Sequence, residues 1–195
     1  MKRFFDILFS ALGLAVLSPL FLVLALWIKL DSRGPVFYRQ VRVGRHNRDF
    51  SIFKFRSMRT DADKAGLITV GGRDPRVTRS GYYIRKLKLD ELPQLINVLC
   101  GDMSFVGPRP EVRKYVDMYT PEQLHVLDVR PGITDEASIQ YRNENELLAT
   151  ADDPEQFYVH TVMPDKLRIN LQYVQHHNLW TDIKLIFRTL LAIAR

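Results

Sequence analysis

Cysteine is almost missing from this chain. One residue, Cys100, stands among 195. That excludes an intrachain disulfide framework and any multi-cysteine metal knot, and it suits a reducing compartment. Cys100 itself is expected to be a small buried hydrophobe rather than a nucleophile. The five histidines (His46, His125, His160, His176 and His177) show no ligand spacing, and the adjacent His176 and His177 point in different directions on a helix. A glycine-rich P-loop and a dinucleotide fingerprint are both lacking, which counts against the common nucleotide folds. There is no internal repeat and no low-complexity tract. With 46% hydrophobic and 26% charged residues the chain is neither disordered nor collagen-like, and it has ample material for a core.

The most telling absence is of charge. Residues 7–28 form a run of 22 without a charged side chain, interrupted only by Ser10, Gly13, Ser18 and Pro19. As a straight helix the run would span roughly 33 Å, enough for the hydrocarbon core of a bilayer. A cleavable signal peptide is disfavoured, because the stretch exceeds a usual h-region and Lys29-Leu30-Asp31 offers no small-x-small cleavage site. Lys2 and Arg3 precede the run, and Lys29 and Arg33 follow it, so both ends prefer the same face if positive charge marks the cytoplasm. Pro19 removes the amide that would reach the Ala15 carbonyl, so a bend is expected at Ser18-Pro19, with the Ser18 hydroxyl bonding back to Leu14. A helix bent there enters and leaves by one face. A kinked single-pass helix is the alternative, since proline is tolerated in spanning helices.

Charge elsewhere is unevenly placed. The formal net charge is +6, yet residues 29–60 carry nine Lys/Arg against two acids, and residues 111–160 carry eleven acids against four bases. A basic shoulder beside an apolar anchor suits an anionic surface or substrate. The chain therefore divides into a membrane helix over 1–30 and a cytoplasmic domain over 31–195. The fold class expected is α+β, mainly helical, with a small β-hairpin at 36–56 around a turn region at 44–49. The period of two puts Lys54 and Arg56 on one face of the second strand, and Phe53 and Phe55 on the other. A short helix is expected from Asp61 to Ala65 and a loop over 69–81, where Arg73, Arg76 and Arg79 read as solvated charges. Leu179, Trp180, Ile183, Ile186, Phe187, Leu190, Leu191 and Ala194 follow helical spacing. That stripe is expected to face the core; an interfacial helix dipping into the headgroups is the alternative.

The chemistry concentrates in the centre. Asp90-Glu91 precede an apolar helical run with Pro93 in its first turn. The plain reading is an N-cap with dipole compensation. Gly107-Pro108-Arg109-Pro110 is a stiff loop able to fix Arg109, and Arg130-Pro131-Gly132 repeats the idea. Arginines on rigid turns suit phosphate oxygens. A carboxylate pair, rigid arginines and a membrane anchor together point weakly to phosphoryl chemistry at a bilayer.

Lys54-Phe55-Arg56-Ser57-Met58, Leu89-Asp90-Glu91-Leu92-Pro93-Gln94, the run from Gly101 to Pro110, and Arg130-Pro131-Gly132-Ile133-Thr134 resemble the signature blocks of the bacterial sugar transferase family, the small monotopic phosphoglycosyl transferases. The resemblance extends to the N-terminal Ser-Pro and to Trp180-Thr181-Asp182-Ile183-Lys184, and so spans nearly the whole chain. It implies transfer of a sugar phosphate from a UDP-sugar to a membrane polyprenyl phosphate, releasing UMP, as a first membrane step of glycoconjugate assembly. Asp90 would be the nucleophile that forms an aspartyl phosphosugar, Glu91 its partner, and both would hold Mg2+. Ser18-Pro19 would bend a re-entrant helix at the inner membrane, with the site facing the cytoplasm.

On chemical grounds a carboxylate nucleophile divides one hard displacement into two steps, and attack of anion on anion needs cations. Arg85, Arg109, Arg130 and Arg142 are the phosphate-contact candidates, followed by Lys54 and Arg56. Mg2+ suits one or two carboxylates plus substrate phosphates. Membrane lipids are expected partners and nucleic acid is not; self-association stays open. The rival reading is a non-catalytic, membrane-anchored module that binds phosphate or lipid. One departure from the family pattern, Asp135, Glu136 and Tyr141 in place of the usual glycine-containing run, is expected to alter the loop near the sugar.

Overall fold

The computed structural model describes residues 1–62, 66 and 74–194. It is α+β and mainly helical, as the sequence implies. Helix α1 occupies Lys2–Asp31, 30 residues with Pro19 inside, or about 45 Å if straight. It has the length of the membrane helix expected at 1–30, displaced by one residue. Pro19 leaves the Ala15 carbonyl without its helical donor, and the Ser18 hydroxyl donates to that very carbonyl at 2.8 Å. The sequence reading placed this bond one residue too early, on Leu14. The i−3 geometry is the better repair, because it satisfies the acceptor that proline strands.

Both ends of α1 are tied to the rest of the chain. At the amino end Lys2 donates to the Val106 carbonyl at 2.8 Å and pairs with Asp182 at 2.8 Å, while Arg3 donates to the Leu99 carbonyl at 2.8 Å. The buried Asp6 carboxylate accepts from the Ser104 hydroxyl and the Phe105 amide. At the carboxyl end Asp31 accepts from the Ser80 amide and hydroxyl, both at 2.9 Å. Between these anchors Leu24 and Ile28 pack with Phe55 and Ile84. The opposite side leaves Leu12, Val16, Leu22, Leu26 and Leu30 exposed.

The hairpin forms as expected. Strands β1 (Phe37–Val43) and β2 (Asp49–Phe55) pair antiparallel with Tyr38 opposite Lys54 and Val43 opposite Asp49. Its faces do not divide into apolar and cationic, however. Ile52 shares a face with Lys54 yet is buried against Val98 and Met103, because α3 (Gln94–Cys100) covers that side. Helix α2 (Arg79–Lys86) is capped by Thr78, which accepts from the Gly81 amide, so the loop expected at 69–81 ends three residues before Gly81, and its first five residues lie outside the described residues. The short helix expected from Asp61 falls largely outside the described residues.

Two three-residue strands, β3 (Ser104–Val106) and β4 (Gly132–Thr134), pair in parallel. Their close approach requires glycine. A Cβ on Gly107 would lie 2.3 Å from the Arg130 carbonyl oxygen, and one on Gly132 would lie 2.1 Å from the Gly107 nitrogen. The remaining helices are α4 (Arg113–Val116), α5 (Glu136–Gln140), α6 (Glu144–Ala149), α7 (Pro154–Phe157), α8 (Met163–His176) and α9 (Leu179–Ala194), with a π turn at Tyr158–Val162 joining α7 to α8. A second core of Val112, Tyr115, Leu148, Tyr158, Val162 and Leu167 holds them together.

The α9 stripe corrects an expectation. Trp180 and Phe187 are 64% and 63% exposed, and Leu190 and Leu191 are exposed beside them. Its buried contacts are Asp182 and Leu185, because Asp182 turns inward to Lys2 and to the Tyr173 hydroxyl. The apolar face is thus left outward, the interfacial alternative. Cys100 is also exposed, since it ends α3 where Gly101 turns the chain left-handed.

Backbone crowding at β3–β4 gives a direct test. Gly107→Ala is expected to lose about 1–3 kcal/mol, the usual cost of overpacking, and to shift Arg109 two residues on. Thermal unfolding of the detergent-solubilised protein measures the first effect; an unchanged melting temperature contradicts the geometry.

Candidate active site

Asp90 and Glu91 do not cap a helix. They lie in a 3₁₀ turn, Leu89–Glu91, entered through Lys88 in the left-handed region at φ 56. Helix α3 begins later, and no side chain caps it. Asp90 is 7% exposed, and its Oδ1 accepts no hydrogen bond. A buried carboxylate oxygen without a donor is costly, so the plain capping reading fails on the page.

The two neighbours are treated differently. Arg109 grips Glu91 with both terminal guanidinium nitrogens, one at 3.3 Å, and Lys54 Nζ stands 3.4 Å from Glu91 Oε1. Burial works to raise the Glu91 pKa, but the Arg109 and Lys54 charges outweigh it and hold this carboxyl well below the usual carboxylate range. Asp90 goes the other way. Burial, then the adjacent Glu91 charge, push its pKa up, and Lys54, Arg85 and Lys88 offset this only in part. For Lys54, burial drives the ammonium down against the pull of Glu91. One carboxylate is therefore fixed as an anion, and the other is kept reluctant.

Asp90 opens on a cleft of about 840 Å³. Nine Lys/Arg and four acids line it, a wall suited to an anion. Of the residues singled out in the sequence, Asp90, Lys54, Arg85, Arg109 and Arg56 reach this wall. Arg56 is committed elsewhere as well: it is 4% exposed and donates to the Ile28, Ser32 and Arg33 carbonyls, closing the end of α1. That structural duty takes the place of the expected phosphate contact. Arg130 and Arg142 are not on the wall. Arg130 Nε donates to the Gly101 carbonyl at 2.8 Å, and Arg142 donates to the Ala192 carbonyl at 2.6 Å. Rigid turns hold both, as the prolines suggested for Arg130, but they hold them against backbone.

Residues that sequence reasoning passed over also meet here. Arg76, expected to be solvated, lines the cleft and pairs with Asp74. Arg39, Arg42 and Arg59 join it. Register supplies a signal for part of this set: Tyr38 lies opposite Lys54, so Gln40 and Arg42 share that side. Glu111, Tyr158 and Lys166 come from distant segments, and nothing local announces them. The departures from the family pattern are absorbed by the fold. Asp135 caps α5 through Ser138, Glu136 pairs with Arg188 of α9, and the Tyr141 hydroxyl donates to Asp165 at 2.8 Å. None of the three lines the cleft.

No group of three or more His, Cys, Asp or Glu side chains able to enclose a metal exists among the described residues. What the site does hold is one carboxylate, Asp90, in the wall of the cleft with an Oδ1 that accepts no hydrogen bond.

A carboxylate pair split in acidity thus stands at a cationic cleft, in a chain that also carries an outward-facing apolar helix. The family follows. The bacterial sugar transferase model matches residues 1–195, and the chain belongs to that family. Among curated relatives, the UDP-N-acetylgalactosamine-undecaprenyl-phosphate N-acetylgalactosaminephosphotransferase of Aeromonas hydrophila is 42% identical over 98% of this chain and 43% of its own length. The undecaprenyl-phosphate glucose phosphotransferase of Komagataeibacter xylinus is 44% identical over 97% of this chain and 35% of its own. The UDP-glucose:undecaprenyl-phosphate glucose-1-phosphate transferase of Caulobacter vibrioides is 38% identical over 96% of this chain and 67% of its own. The chain thus spans under half the length of the first two.

The split acidity carries a sign that can be measured. Asp90 has a folded pKa above its unfolded value, so its ionisation costs stability once the pH exceeds the ordinary aspartate range. Asp90→Asn is therefore expected to raise the melting temperature at pH 7 by a few degrees, with the gain shrinking below pH about 4. A capping aspartate predicts a loss instead. Glu91 has the opposite sign: its contribution is full above the ordinary glutamate range and is lost as pH falls below it. Glu91→Gln is expected to lower the melting temperature at pH 7.

Proposed function

We propose that this chain transfers a sugar phosphate from a UDP-sugar to polyprenyl phosphate through an aspartyl phosphosugar. The observation that carries this is Asp90: a buried carboxylate whose Oδ1 accepts no hydrogen bond, at the wall of a cationic cleft. In the first step an Asp90 oxygen bonds to the sugar-linked phosphorus as the bond to the bridging oxygen breaks, and UMP leaves with the electron pair. In the second step a phosphate oxygen of the polyprenyl carrier attacks the same phosphorus, and the Asp90 carboxylate departs. Polyprenyl diphosphate sugar results, and the enzyme is regenerated. A carboxylate kept from solvent and from donors is a better nucleophile once ionised, and the approaching diphosphate meets Arg85, Arg109 and Lys54.

Glu91 stays an anion through the cycle and holds Arg109 and Lys54 in place. The donor set fits Mg2+: Asp90, with Glu91 beside it, would hold the ion together with diphosphate oxygens. That ion would supply charge neutralisation for the departing phosphate.

Re-entry of α1 from one face completes the reading. Its amino end bonds to Val106, Asp182 and Leu99, and its carboxyl end bonds to Arg56 and Ser80, all within residues 31–195. A single pass would part those ends by a bilayer. The exposed α9 face lies on the same chain as a second apolar surface, and the inner membrane with a cytoplasm-facing site accommodates both. The rival, a non-catalytic lipid- or phosphate-binding module, gives no reason for a buried aspartate without a donor.

Two experiments decide. Protein in nanodiscs with Mg2+, polyprenyl phosphate and UDP-glucose or UDP-N-acetylgalactosamine is expected to release UMP, and Asp90→Asn to lower that release by at least about a thousandfold, as loss of a nucleophile does. UMP release that persists in the variant removes Asp90 from the chemistry. For topology, single cysteines at Lys2 and Arg33 in a Cys100→Ser background are expected to react with an impermeant maleimide from the same side of sealed vesicles. Labelling from opposite sides contradicts re-entry.

A further inference from the structure

The cleft, about 840 Å³ in volume, is larger than a phosphate group requires, and its lining is not cationic throughout. Around Asp90 the wall is cationic. Beyond Arg109 it changes. Glu111, two residues on, accepts from the Tyr158 hydroxyl at 3.0 Å. Lys166 Nζ sits over the Tyr158 ring at 5.5 Å and pairs with Glu144 at 2.7 Å. Asn145 stands beside Glu144 on the same wall. The contacts link Glu111, Tyr158, Lys166 and Glu144 in one chain on the cleft wall.

We infer that Glu111, Tyr158, Lys166, Glu144 and Asn145 form a subsite that reads the hydroxyls of a sugar ring, with the diphosphate held at the Asp90 end. The inference rests on the proposed function and adds where in the cleft the substrate is told apart. Two carboxylates repel a phosphate but accept well from hydroxyls; a lysine and an amide supply donors for ring oxygens. An independent feature marks the spot: Tyr158 opens the π turn at Tyr158–Val162, a helix defect that recurs at functional sites and re-aims the side chain it carries. Burial and the Glu111 charge hold the Tyr158 phenol neutral, and thus a donor. Asp90, whose buried Oδ1 accepts no hydrogen bond, lines the same cleft.

The ring could be the transferred sugar or the ribose of the nucleotide, and affinities separate them. Binding of UDP-glucose, UDP-N-acetylgalactosamine and UMP is measured by calorimetry on full-length protein in nanodiscs, with Asp90→Asn as background to stop turnover. Glu144→Gln is expected to weaken a UDP-sugar roughly tenfold, the scale for losing a hydrogen bond to a charged group. If UMP affinity is unchanged, the subsite reads the transferred sugar; an equal loss for UMP assigns it to the ribose. Unchanged affinity for all three ligands overturns the subsite. Tyr158→Phe keeps the ring in its core and deletes only the hydroxyl, so it tests the wall without Glu144; it is expected to raise KM for the UDP-sugar and leave kcat in place. If no nucleotide binds before Glu144 or Tyr158 is altered, the proposed function fails together with the subsite.

Discussion

Two adjacent carboxylates in a buried turn cannot both be ionised unless cations share the cost. Asp90 and Glu91 meet that constraint unequally, and most of the architecture around the cleft follows from it. Glu91 takes the guanidinium of Arg109 and the ammonium of Lys54. That commits the Gly107–Pro110 loop and strand β2 to fixed positions, because each must deliver one cation to the same carboxylate. Asp90 receives charge at a distance, and its Oδ1 accepts no hydrogen bond. The fold has satisfied one acid and left its neighbour unsatisfied, a local cost of the kind found at functional sites.

The cations are positioned from outside the turn by glycine contacts. Arg109 follows Gly107, and Gly107 lies against Gly132 so closely that neither tolerates a Cβ. Strands β3 and β4 are only three residues long, and they gain rigidity from this backbone-to-backbone approach and from the Asp6 carboxylate, which accepts from Ser104 and Phe105. Asp6 belongs to α1. This long apolar helix therefore takes part in setting the arginine that holds Glu91, and helix and site form one mechanical unit.

How much of this the sequence disclosed depended on the range of the interaction. The uncharged run, the hairpin and its strand limits, and the helical stripe of α9 were legible because each is written in local periodicity. Asp90, Glu91, Arg109 and Lys54 were legible as a group through long motif blocks. What failed had non-local causes. Arg56 reads as a cleft cation until the carbonyls at the end of α1 arrive from 24 residues away. Arg130 reads as a phosphate ligand until the Gly101 carbonyl is placed beside it. The α9 stripe looks core-facing because apolar helix faces usually are. Only the inward turn of Asp182 towards Lys2, 180 residues earlier, shows that the packed side is the one carrying Asp182 and Leu185.

That reversal has a consequence for the proposed function. Lys2 and Asp182 are opposite charges on two different helices, α1 and α9, each with its apolar side facing out. An ion pair with an Asp182 side chain only 7% exposed gains little net stability from its own Coulomb energy, since desolvation consumes most of it. Its value lies in orientation. Neither helix can rotate its apolar face inward without separating the two charges in a dry environment, and the Tyr173 hydroxyl, bonded to both partners, tightens the restriction. A soluble protein would gain by rolling such helices over to hide Trp180, Phe187 and Leu190. Buried charge on the inner side of α9 makes that alternative costly, so the exposed apolar surface is built into the fold. Under the proposed function this surface sets the depth of the cleft at the bilayer, where the phosphate of a lipid carrier can reach the aspartate.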